Sequence, residues 1–147
     1  MGMSSYRATY EGDPISLCYL QNLANALQGS GITLLCCIGL PMCDGSGQLF
    51  ANESSAFAAG YAMGLEAAQT LVPLGVTLVE CDNELDAKNG IRTPVQAVQG
   101  GVPWDFQNTL FPALRGVING CMTAVRSVGG PRVQCASNAF TACSAAR

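Results

Sequence analysis

Histidine is absent from the chain. With it go the Ser-His-Asp and Cys-His arrangements, the commonest general base and the commonest zinc ligand. Lysine occurs once, at Lys88, so a Ser-Lys pair would have to use it, and no P-loop lysine is available for phosphate. No C-x-x-C pair exists, and "CDGSG" at 43–47 is only half of a zinc repeat, because Leu40 stands where the preceding cysteine belongs. Ser46 sits in "DGSG" rather than G-x-S-x-G, which removes the nucleophile elbow. These absences lead to the expectation of a non-enzymatic protein with no metal and no cofactor.

Charge is scarce as well. Only 12% of the 147 residues are charged, about half the usual share for a globular protein. A soluble monomer keeps itself dispersed with mixed surface charge. So little charge, beside an apolar content of 49%, implies surface hidden against partners or copies of itself. What charge there is lies unevenly. Residues 1–74 hold Arg7 against Glu11, Asp13, Asp44, Glu53 and Glu66; after Asp105 no acid follows, while Arg115, Arg126, Arg132 and Arg147 do. An acidic front and a basic back suit head-to-tail self-association. Four scattered arginines are too sparse a basic face for nucleic acid.

The opening "MGMSSYRATYEGD" has no basic start, no apolar h-region and, with Tyr6 at the critical position, no myristoylation pattern. The expectation is a protein without signal peptide, cytoplasmic or part of an assembled particle, whose eight cysteines act mostly as small apolar residues. Residues 56–79 reach spanning length but carry Glu66, Gln69 and Pro73 with no flanking basic cluster, so a membrane partner is not expected.

"DPISLCYLQNLANALQGSG" predicts a first helix: Asp13 caps, Pro14 fits the first turn, Leu20, Leu23 and Leu27 recur at helical spacing, and Gly29 ends it. "ITLLCCIGL" predicts a buried strand, 41–53 a loop, and about Ser54 to Thr70 a second helix. "VTLVEC" predicts another strand, and 82–98 a hairpin about Asn89-Gly90 with Pro94 on a returning edge strand. A third helix follows from about Asn108 or Thr109, then a strand at "PRVQC" and a weakly structured tail over 136–147. The fold expected is one compact α/β domain over residues 1–147, three helices packed on a small mixed sheet.

Three candidate sites stand out. Ala56, Gly60, Gly64 and Ala68 fall at successive fourfold spacings on the second helix, and Gly116, Gly120 and Ala124 do so on the third. Mid-helix glycine costs about 1 kcal/mol relative to alanine, so these stripes mark close backbone contacts, either from packing inside one subunit or, as they are taken here for candidate sites, from interfaces between copies. Cys43 and Asp44, in a Gly-rich loop just past a strand, are the best enzymatic alternative: a thiolate beside turn N–H groups, in a domain using Cys43 to Gln48 to bind a ligand. Glu80, Asp82, Glu84 and Asp86 alternate and form an acidic arm if extended. The leading expectation is a structural subunit that self-assembles into a homo-oligomer or particle, such as a shell, ring, tube, capsid or virion component. A small α/β enzyme and a subunit of a membrane complex are the alternatives.

Overall fold

The computed structural model describes residues 4–41, 43–83 and 111–138. Within them the chain runs β1 (Ser5–Tyr10), α1 (Pro14–Leu27), β2 (Thr33–Ile38), α2 (Glu53–Leu71), β3 (Leu78–Asn83), α3 (Phe111–Gly129) and β4 (Gln134–Asn138). The α/β class with three helices is as the sequence implies. Among the described residues the sheet is not mixed: four strands lie in the order β1-β2-β3-β4 and every pairing is parallel. Of the expected hairpin only Asp82 and Asn83 are described, and they extend β3; the rest lies outside the described residues.

β1 is the element that sequence reading left unassigned. "SYRATY" alternates, with Tyr6, Ala8 and Tyr10 on one side and Ser5, Arg7 and Thr9 on the other, as a half-buried strand requires. Its short length and the exposure of its first three residues blur the signal. α1 follows the expected punctuation: the Asp13 carboxylate accepts from the Ile15 and Ser16 N–H groups at 2.8 and 3.0 Å, with Pro14 as first residue. Asn52 caps α2 by accepting from the Ser55 N–H at 2.9 Å.

β3 starts two residues later than the apolar run suggests. Gly75, at φ 88°, turns the chain after the short 3-10 turn Val72–Leu74, and the Val76 N–H donates back to the Leu71 carbonyl. That N–H is consumed by the helix end, so the ladder begins at Leu78. β4 is likewise later than expected, since Gly130–Arg132 form a 3-10 turn first. Ala136 to Asn138, assigned to a loose tail by sequence, belong to this strand.

Each crossover steps the same way across the sheet. Right-handed crossovers then place the three described helices on one face. The core agrees: Tyr10, Leu34, Cys36, Ile38, Val79 and Cys81 from the strands share one cluster with Leu20 of α1, Ala56 of α2 and Val117 of α3. Arg7, Thr9, Leu35, Leu78 and Glu80 point the other way and keep part of their surface exposed. Among the described residues no helix covers that second face.

The glycine stripes settle inside the chain. All four of Ala56, Gly60, Gly64 and Ala68 are buried, as are Gly116, Gly120 and Ala124. A Cβ built on Gly60 would strike the Val117 backbone, and one on Gly64 would lie 2.8 Å from the Cys121 carbonyl oxygen. Reciprocally, one on Gly116 would meet the Glu53 carbonyl and Ala56, and one on Gly120 the Phe57 carbonyl. α2 and α3 therefore pack backbone to backbone, and no second copy can reach these residues. This corrects the reading of the stripes as interfaces between copies. The small residues do mark a close approach, but the partner helix lies about 60 residues along the same chain. An Arg115–Glu53 ion pair at 2.9 Å flanks the seam, so part of the front-to-back charge polarity is also spent within the chain. Among the described residues no helix is long and apolar enough to cross a membrane.

Candidate functional site

In a parallel sheet, ligands gather at the carboxyl ends of the strands. Here those ends bring together Glu11 after β1, Gly39 and Leu40 after β2, and Asp82 on β3. Asp82 is fully buried, and its Oδ2 accepts from the Leu40 N–H at 2.8 Å. It has φ 66°, a left-handed conformation that aspartate adopts more readily than most residues. The ladder to β4 shifts register around it, between Glu80 and Asn83. The carboxylate thus ties the exit of β2 to a kink in β3. Beside it, the Gly39 N–H donates to the Tyr10 carbonyl at 2.8 Å, and a Cβ on Gly39 would press to 2.9 Å from Glu11 Oε2. The Tyr10 hydroxyl donates to Glu66 Oε2 at 2.6 Å; burial first, then this carboxylate, pushes the phenol above its ordinary value.

The expected acidic arm is therefore broken where it is described. Asp82 turns inward at the kink, while Glu80 stays on the open face and meets Arg7 at 2.7 Å. That ion pair spans from β1 to β3 over the intervening strand β2, and the Arg7 guanidinium also donates to the Cys37 sulfur at 3.4 Å. The hydrogen bond to Glu80 is the main reason the guanidinium holds its proton more firmly than usual. Glu84 and Asp86 lie outside the described residues.

Cys43 and Asp44 sit past the end of β2 as expected, in a loop closed on itself. Cys43 bridges antiparallel to Leu49, and both pack against the core. The Asp44 carboxylate accepts from the Ser46 N–H and hydroxyl and from the Gln48 N–H, at 2.9, 2.6 and 3.1 Å. These bonds, the Ser46 hydroxyl foremost, hold its pKa below the ordinary carboxylate value. Its Oδ1 is directed at its own turn, and the turn's Ser46 and Gln48 N–H groups point at Asp44 rather than outward.

Sequence reasoning missed a thiol group. Cys81 Sγ lies 3.2 Å from Cys135 Sγ, and Cys121 of α3 is near enough to be the main influence pushing the Cys81 thiol above its ordinary value. The positions 81, 121 and 135 carry no spacing motif; only the pairing of β3 with β4 and the docking of α3 bring them together. Among the described residues no group of three or more cysteines and acids has the geometry to hold a metal ion. A cleft of about 320 Å³ opens at the opposite, amino end of the sheet, between the end of α1 and the starts of β2 and β3. Its lining, including Leu27, Gly29, Ile32, Gly75 and Val76, contains no ionisable side chain.

Strand order explains why the carboxyl end forms a kink and not a crevice. Nucleotide-type sites in open sheets form where the strand order reverses and two neighbouring crossovers part to opposite faces. The order β1-β2-β3-β4 never reverses. No family model matches the chain, and no curated protein or solved structure matches it either.

Proposed function

We propose that the protein is a non-enzymatic structural subunit that self-assembles, and that the sheet face without helices is the surface it uses. The observation that carries this reading is that, among the described residues, helices cover only one face of the parallel sheet. Parallel sheets are almost always covered on both faces, because their strands are apolar on both. Here Leu35 and Leu78, on adjacent strands at paired register positions, remain part-exposed on the second face, beside the exposed Ala136. The edge strands β1 and β4 each have one unpaired side among the described residues. The low overall charge is consistent with the same economy of surface. A shell, ring, tube or virion component is the kind of object such a subunit builds.

Native mass spectrometry and size-exclusion chromatography test the reading. The expected result is an oligomer that Leu35→Glu dissociates to a monomer with unchanged far-UV circular dichroism. A wild-type chain that stays monomeric at high concentration overturns the proposal. So does an oligomer that survives both Leu35→Glu and Leu78→Glu, since assembly then uses another surface.

A further inference from the structure

We propose that Cys81 and Cys135 are an oxidisable pair, closing to a disulfide that ties the edge strand β4 to β3 when the protein meets a low-molecular-weight disulfide such as oxidised glutathione. Their sulfurs stand 3.2 Å apart, so roughly 1.2 Å of closure reaches bonding distance. The pair lies where the sheet has room to yield. Among the described residues β4 is the last strand of the sheet, and the ladder between β3 and β4 is already irregular after Glu80.

Cys121 also lies near Cys81, but its backbone is pinned against Gly64 in the α2–α3 seam. The partner free to move is therefore Cys135. Exposure sets the order of events. Cys135 is half-buried and Cys81 fully buried, so an external reagent meets Cys135 first. Its thiolate attacks the small disulfide and releases one thiolate, leaving a mixed disulfide on Cys135. Cys81, after losing its proton to solvent, attacks the Cys135 sulfur and expels the second thiolate. Two protein thiols give up two electrons and two protons, and the small disulfide becomes two thiols. Hydrogen bonding to Cys81 and burial hold the Cys135 thiol above its ordinary value, so the reaction quickens as pH rises.

The test incubates the full chain with oxidised glutathione, blocks remaining thiols with iodoacetamide and maps the peptides by mass spectrometry. The expected product is a Cys81–Cys135 crosslink lacking two hydrogens, reversible by dithiothreitol, with the melting temperature raised by roughly 5 °C. Cys135→Ser abolishes the crosslink, whereas Cys121→Ala leaves it in place; circular dichroism checks that each variant is folded. A Cys81–Cys121 crosslink, a mixed disulfide that persists on Cys135, or full alkylation of both cysteines after oxidant treatment and denaturation each overturns the proposal.

Discussion

The two faces of the one sheet are built on opposite plans. On the helix side, Tyr10, Cys36, Ile38 and Cys81 are almost wholly buried, and no charged side chain joins their cluster. On the other side, charge appears in the middle of the sheet, as Arg7 and Glu80 join hands across β2. The difference follows from connectivity. Three crossovers of one hand, always stepping to the next strand, put the three described helices on one layer and leave the second layer to whatever else the chain or its copies supply. An apolar run such as "LLCCI" reads as buried on both sides; on the open face the structure buries Cys37 beside Arg7 yet leaves Leu35 part-exposed.

The largest expected effect lies where the helix layer locks together. Gly60→Ala puts a methyl group into the Val117 backbone, which cannot rotate away as a side chain could. It should cost about 3 kcal/mol or more in urea unfolding, while Gly45→Ala, with nothing within 4 Å of the new atom, leaves the urea midpoint nearly unchanged. Equal costs at the two glycines would break the account of the seam.

A second pair of variants compares the faces directly. Ile38→Ala on the helix side removes a fully buried side chain and should cost about 3 kcal/mol. Leu35→Ala, three residues earlier and facing the open side, should cost roughly half as much or less in dilute monomer, because part of the side chain already meets water. Matching losses would mean that the second face is as well packed as the first.

The smallest effect separates the faces by pH. Burial pushes the Cys36 thiol up to about 12, with the neighbouring Cys37 adding to the shift, and the Tyr10 phenol is raised as well. A raised folded-state value means stability is fully present below the ordinary thiol value of 9.0 and is lost as pH climbs towards about 12. Melting temperature should therefore hold steady from pH 7 to about 9 and fall beyond it. Cys36→Ala should soften that fall, even though it lowers stability at neutral pH. An unchanged alkaline slope in this variant would show that the helix-side thiol is not what titrates.

Much of the helix layer was legible in the chain itself. Asp13-Pro14 and Gly29 bracket α1, and the small residues at fourfold spacing mark α2 and α3; the Asn52 cap of α2 falls in the stretch that sequence reading assigns to a loop. These signals are local, resting on caps and on spacing within a few turns. The strands were less legible at their ends. β3 and β4 begin only where preceding 3-10 turns release their N–H groups, and β1 is too short and too exposed to announce itself. The candidate sites fared according to the same distinction. Cys43 and Asp44 lie in the loop that their Gly-rich stretch implies, because a turn is a local event. Asp82 could not be separated from the alternating acids of the expected arm, because only its bond to Leu40 and the kink in β3 turn it inward.

By itself the sequence determined that there would be an α/β domain with two helices bare enough for backbones to touch, little charge to spare, and no histidine-based chemistry. Only the tertiary structure decided that those two helices touch each other, that the described strands are all parallel with their helices on one side, and that Cys81 and Cys135 meet. The physical reason is range. Caps, turns and periodicity act over a handful of residues, whereas the glycine seam, the Arg7–Glu80 pair and the thiol group join positions 40 to more than 70 apart. Which partner a bare helix face or a buried sulfur finds depends on the order and hand in which the strands are laid down.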